Sequence, residues 1–120
     1  MKSRYFKRSE FACKCGCGFN AVDAGLLAVL EDIRGFFGQP VTITSGCRCY
    51  AHNKAVGGSK NSRHVQAIAA DIKVKNISPD VVSDYIDQEH GNCALGQYDD
   101  WTHIDVRGNS ARWDNRTNVL

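Results

Sequence analysis

A chain of 120 residues has room for one domain, residues 1–120, and its 42% hydrophobic content, eleven glycines and two prolines describe a loop-rich globule with a core and exclude a disordered or fibrous chain. A formal net charge of +2 is too small for the strongly basic, aromatic-interleaved face of a nucleic-acid binder. The basic start (Lys2, Arg4, Lys7, Arg8) is interrupted by Tyr5, Phe6 and Phe11, and no long apolar run comes after it, so neither a secretory signal nor a membrane span is expected.

The first predicted element is a helix over about Val22 to Phe37. Leu26, Leu30, Ile33 and Phe37 recur at helical spacing, with Leu27 and Val29 widening the stripe. Asn20 or Asp23 can cap its start, and Gly38 with Pro40 ends it. Val41–Ser45 is a run rich in β-branched residues and reads as a strand, with a turn at Gly46. A short helix around Ala51 to Val56 stops at Gly57-Gly58, and the polar loop Ser59–Ser62 then delivers His64. Ile68 to Val74 fits a second strand in which Ile68, Ala70, Ile72 and Val74 share one face, while Ala69, Asp71 and Lys73 share the other. Ser78-Pro79 opens a helix running to about Glu89, with Val82, Tyr85 and Ile86 inward and Gly91 closing it. Strands over Leu95–Tyr98 and Trp101–Val106 complete the pattern, and in the last of these Trp101, His103 and Asp105 face one way. The expected fold is α+β: a small, mainly antiparallel sheet with helices on one side and a metal cleft on the other.

Six cysteines stand in the clusters Cys13-x-Cys15-x-Cys17 and Cys47-x-Cys49, with Cys93 alone. Neither cluster has the C-x-x-C spacing of a structural zinc site, and a bridge inside C-x-C would be strained. Long-range disulfides from the first cluster to Cys47, Cys49 or Cys93 are the leading expectation, with buried free thiols and metal binding left open.

Two predicted strands each present a metal-competent side chain on a polar face, Asp71 on one and His103 on the other, and the loop before the first brings His64 near. Two imidazoles and a carboxylate leave the fourth tetrahedral position for water, the arrangement of a catalytic zinc site. Asp100, three residues before His103, is the candidate general base, provided the strand begins irregularly, since a regular pleat would turn it to the opposite face. Asp99 and Asp105 are rivals, with Asp105 better placed to steady a ligand. Arg48 offers a planar fork of donors for a substrate carboxylate or an oxyanion. A serine triad built on Ser62 lacks its G-x-S-x-G turn. A thiol enzyme using Cys47 or Cys49 with His52 remains an alternative.

Ser62-Arg63-His64 followed by Ala69-Ala70-Asp71 resembles the S-x-H-x-x-G-x-A-x-D signature of the LAS zinc metallopeptidases, which include D-Ala-D-Ala carboxypeptidases and L-alanyl-D-glutamate endopeptidases of phage lysis systems. Asp100-Trp101-Thr102-His103-Ile104-Asp105 is similar to their second motif. Ser45-Gly46-Cys47-Arg48 and His52-Asn53-Lys54-Ala55-Val56-Gly57-Gly58 resemble S-G-Y-R and H-N-x-x-V-G-G segments of the carboxypeptidase-like branch. The likeness runs from about Phe11 to Arg107 and departs at Ala67, where the family has glycine, and at Cys47, where it has tyrosine. It implies the hedgehog/D-Ala-D-Ala peptidase-like fold, one Zn2+ per chain on His64, Asp71 and His103, a catalytic Asp100 and a substrate-facing Arg48, with His52 bracing the Arg48 loop; Ser62 is a further substrate-side candidate, and Trp101, on the ligand face, is read as core or rim packing or as lining the cleft. Trp113 is expected to pack in the core or at the rim.

The expected activity is hydrolysis of the peptidoglycan stem peptide, as an endolysin-type L-alanyl-D-glutamate endopeptidase. A D-Ala-D-Ala carboxypeptidase and an inactive wall-binding zinc fold are the alternatives. A monomer made in the cytoplasm without a signal peptide, released through a pore such as a holin and acting in the periplasm or on the wall, completes the expectation.

Overall fold

The computed structural model describes residues 3–117, so Lys2 of the basic start lies outside the described residues. A single 3-10 turn at Arg8–Phe11 precedes helix α1, Ala24–Phe37. Asp23 caps α1 by accepting a hydrogen bond from the Leu26 amide at 3.1 Å, and Gly38 ends it in a left-handed conformation (φ 62°). The helix buries Leu26, Leu27, Leu30 and Ile33, as the periodicity predicts. Strand β1 is Val41–Ser45, helix α2 Tyr50–Ala55 and strand β2 Ala69–Val74. Helix α3, Pro79–Glu89, starts with Ser78 as cap and proline in its first turn, where a missing amide hydrogen has no consequence. Strands β3 (Ala94–Gln97), β4 (Thr102–Asp105) and β5 (Arg112–Asp114) complete the chain order.

The five strands form one sheet in the order β1-β2-β4-β3-β5, antiparallel except for the β3–β5 pair. Alternation along β2 and β4 separates two chemistries. Ala70, Ile72, Val74 and Ile104 join Leu95 and the apolar faces of α1 and α3 in the core. Asp71 and His103 point to the other face, and they are direct partners in the β2–β4 register. Full burial of side chains such as Leu30, Ile33, Ile72, Ile86 and Ile104 contributes about 1.5–3 kcal/mol each, so the helix-covered face anchors the sheet and the polar face is left for function.

β1 carries an irregularity where Ile43 pairs with Ile72 but Ser45 pairs with Asp71, leaving Thr44 extra. The Thr44 hydroxyl donates to the Asp71 carbonyl at 3.1 Å. Such bulges bend a strand and re-aim the residues after it. Directly after β1 stands Gly46, whose carbonyl enters the functional site. β5 is the one strand without a counterpart in the sequence pattern, because three residues are too few to display an alternation.

Candidate metal centre

His64, Asp71 and His103 converge. Their ligand atoms all lie within 4.8 Å of one another, with His103 Nδ1 2.8 Å and His64 Nε2 3.4 Å from the same Asp71 oxygen, Oδ1. A zinc tetrahedron with bonds of about 2.0 Å has edges of about 3.3 Å, so these separations bracket what one ion needs. Both histidines are buried.

The surrounding groups fix which nitrogen of each ring is free. His64 Nδ1 lies 2.7 Å from the Gly46 carbonyl, which can only accept, so Nδ1 carries the proton and Nε2 turns its lone pair toward Asp71. His103 Nε2 lies 2.8 Å from Asp105 Oδ2. Asp105 is fully buried; burial opposes its ionisation, but hydrogen bonds from Arg107 and His103 outweigh it and hold the carboxyl well below the usual carboxylate range. An ionised Asp105 accepts a hydrogen bond from His103 Nε2–H, which keeps the proton on Nε2 and leaves Nδ1 for a metal. Arg107 grips Asp105 through Nε at 2.8 Å, Nη2 at 2.7 Å and its own amide at 3.1 Å.

The site favours positive charge. Burial opposes the ionisation of Asp71, yet hydrogen bonds from His103 and His64 hold it down at about 2. Burial alone would depress His103, but hydrogen bonds to Asp105 and Asp71 raise it above the ordinary histidine value. A carboxylate on each side of one imidazole is a pocket that holds either a proton or a metal ion at Nδ1, and the donor set fits zinc with one position left over.

A cleft of about 420 Å³ opens over these residues, with Arg48, Ser62, Arg63, Tyr98, Trp101 and Trp113 among its walls. Arg48 Nη2 is 3.9 Å from Asp71 Oδ2, and Nη1 donates to Asn53 Oδ1 at 3.2 Å. Asn53, buried and tied through Nδ2 to the Ser59 carbonyl at 2.9 Å, therefore braces Arg48, in the place expected of His52. Gly58 is needed beside it, since a Cβ there would collide with the Asn53 amide. The Ser62 hydroxyl accepts from the His64 amide at 3.2 Å and so holds the ligand loop as well as lining the cleft. Trp101 stacks on Tyr98 with centroids 4.5 Å apart. Trp113, carried by β5, lies across Gly96 with its ring 5.0 Å from His103 and donates from Nε1 to Tyr98 Oη at 2.9 Å. Of the core and rim places expected for it, Trp113 takes the rim, as a wall of the cleft.

Two expectations, on Asp100 and on the disulfides, are corrected. Asp100 does not join the metal-competent residues: it is exposed and lines a separate, smaller cleft with Ile72, Val74, Pro79 and Thr102. It stands in a bend at Asp99–Asp100 before β4, and that bend leaves it on the Thr102 side of the sheet. The cysteines form no disulfide among the described residues; all six are free. Cys47, standing where the family has tyrosine, is buried with its thiol against the Phe11 and Phe19 carbonyls at 3.2 Å each, so it holds the N-terminal segment and offers no substrate contact. Ala67, standing where the family has glycine, does occupy left-handed backbone at φ 59°.

No curated protein matches the chain. The family model described as Peptidase M15 matches residues 4–105, a span that contains all three converging side chains, the Arg48 loop and Asp105. M15 peptidases are zinc-dependent, and the donor set assembled here fits that metal. A match over most of the chain, on a fold that brings the family's motif residues to one point, establishes that this protein belongs to the peptidase M15 family, the LAS-type zinc metallopeptidases.

Proposed function

We propose that this metallopeptidase hydrolyses a bond in the stem peptide of peptidoglycan, as an endolysin-type L-alanyl-D-glutamate endopeptidase acting in the periplasm or on the wall. One zinc ion per chain, held by His64, Asp71 and His103, is the catalytic metal of this reading. The observation that carries it is a His–Asp–His group, its two histidines buried, in a cleft whose walls include Arg48, Arg63 and Arg107. Stem peptides carry free carboxylates, and a wall bearing the Arg48 and Arg63 guanidinium groups suits an acidic peptide better than a neutral one, Arg107 being already paired with Asp105.

Zinc bound there would supply Lewis-acid polarisation of the scissile carbonyl and acidify water. The chain's own residues orient and select. The Gly46 carbonyl and Asp105 keep protons on His64 Nδ1 and His103 Nε2, so both rings present lone pairs to one point. Arg48, steadied by Asn53, holds its fork at the edge of that point, where it can bind a substrate carboxylate or a developing oxyanion. Tyr98 Oη accepts from Trp113 Nε1, which leaves its own hydrogen to donate into the cleft. Trp101 and Trp113 line the cleft's aromatic side.

Incubation with purified muropeptides, followed by mass spectrometry of the fragments, tests the proposal. Cleavage after L-alanine, abolished by EDTA, restored by zinc and lost in His103→Ala, supports it. Release of terminal D-alanine assigns a carboxypeptidase instead, and zinc-loaded protein that releases nothing from any wall preparation overturns the enzymatic reading.

A further inference from the structure

The metal cleft leaves a second group of chemistry-bearing side chains unused. Cys13, Cys15, Cys17 and Cys49 bring their sulfurs within 4.8 Å of one another. Cys13 Sγ to Cys15 Sγ is 3.4 Å and Cys15 Sγ to Cys49 Sγ is 3.6 Å. A sulfur–sulfur bond is about 2.05 Å, whereas a tetrahedron of thiolates around zinc, with bonds of about 2.3 Å, has edges of about 3.8 Å. The spacing is that of ligands around an ion. Apolar packing does not explain it, because Cys15 and Cys17 are exposed.

The backbone is shaped to make this cluster. Between Cys13 and Phe19 the chain curls back on itself, the Cys13 amide donating to the Phe19 carbonyl at 2.7 Å and the Gly16 amide to the Cys13 carbonyl at 3.2 Å. Gly16 at φ 80° and Gly18 at φ 92° take the left-handed turns that this curl needs, and neither glycine is required for space. That is how a C-x-C-x-C run, lacking the usual C-x-x-C spacing, points three thiols at one place. The sulfurs also receive amide hydrogens: the Cys49 amide lies 3.3 Å from Cys13 Sγ and the His52 amide 3.4 Å from Cys49 Sγ. Cys47, whose thiol faces two backbone carbonyls, is outside the group.

We propose that Cys13, Cys15, Cys17 and Cys49 bind a second, structural zinc ion that staples the N-terminal loop to the segment carrying Arg48. All four positions are protein sulfurs, so no place remains for water or substrate. Each thiol gives up its proton on binding, and one zinc takes the place of up to four protons. Because Cys49 is the residue directly after Arg48, the staple fixes the loop that reaches the catalytic cleft.

Native mass spectrometry and elemental analysis of the full chain, purified with zinc under reducing conditions, test this. The proposal expects two zinc ions per chain, falling to one in Cys15→Ser/Cys49→Ser and, independently, to one in His64→Ala/His103→Ala. Cobalt loading of the His64→Ala/His103→Ala protein provides a readout with every cysteine in place, the expected result being intense thiolate-to-cobalt charge-transfer absorption. Unchanged stoichiometry in the cysteine double variant, cobalt without sulfur absorption, or an intact mass short of two hydrogens per bridged pair would each overturn it. Failure of the catalytic reading alone would leave one ion that disappears in Cys15→Ser/Cys49→Ser, so the two failures are distinguishable.

Discussion

Asp105→Asn is a nearly isosteric change that removes one charge from beneath the metal centre. Oδ1 accepts from the Arg107 amide and Nε, and Oδ2 accepts from Arg107 Nη2 and His103 Nε2. An asparagine has one oxygen and one NH2 group, so either orientation sets a donor against two donors. Two hydrogen bonds involving a charged partner, at about 1.5–3 kcal/mol each, are lost. The Arg107 side chain is 21% exposed, and water relieves part of that cost. The expected destabilisation is therefore about 3 kcal/mol, or roughly a 10 °C fall in Tm for a chain of this size. If the NH2 group faces His103, Nε2 becomes an acceptor and the ring proton moves to Nδ1, the atom that should hold metal, so zinc affinity drops about 10–100-fold. Chelator-stripped protein is titrated with zinc until muropeptide cleavage returns, and Tm is read by circular dichroism. Reactivation at wild-type zinc concentrations would refute the assignment of Asp105 as the group that orients His103, whatever the change in Tm.

The remaining predictions concern Asp100, Trp113, Ala67 and Asp71. Asp100→Asn should leave kcat within about threefold of wild type, whereas a general base would lose about 10²–10⁴-fold; steady-state kinetics separates the two. Gly96→Ala should cost about 1–3 kcal/mol in urea unfolding and raise KM, because its methyl group meets the Trp113 indole. In a Trp113→Ala background the same change should cost under about 0.5 kcal/mol, and equal costs in both would disprove the contact. Ala67→Gly relieves about 1–2 kcal/mol of left-handed strain, against about 1 kcal/mol of added unfolded-state freedom and up to about 0.8 kcal/mol for the lost buried methyl. Its stability should stay within about 0.5 kcal/mol of wild type, and a loss above about 1 kcal/mol would argue against strain at this position. For the metal-free protein, Asp71 is held at about 2 against an ordinary 3.8, a depressed carboxyl whose contribution is complete above pH 4 and disappears as the pH falls toward 2. That contribution is about 2 kcal/mol, and Asp71→Asn should flatten the stability profile across this window in acid-unfolding experiments.

The helices and four of the five strands were legible because their signals are local. The Leu26–Leu30–Ile33 stripe, the Asp23 and Ser78 caps and the alternation of Ile72 with Asp71 each need only a few neighbouring residues. The converging triad was legible for the same reason, since face assignment in two strands and one loop suffices to bring it together. What escaped was decided by tertiary geometry. Asp100 depended on whether a strand begins regularly, and a residue outside β4 gives no sign of that. Trp113 depended on a three-residue strand pairing in parallel with β3. Asn53 rather than His52 reaches Arg48 because a short helix turns neighbouring side chains about 100° apart. The cysteine cluster was missed because spacing rules assume one shape of turn, and two left-handed glycines produce another.

Asp71 and His103 sit directly opposite each other in the β2–β4 register. Sliding one strand by a single position would swing that strand's ligand to the helix-covered side and bury a polar group among Ile72, Ile104 and Leu95. A misthreaded molecule is thus blind to the ion, and the catalytic site reports on the pairing of the central strands. Metal uptake by the histidine pair during refolding therefore counts correctly threaded chains, and zinc supplied early would draw the population toward them by mass action.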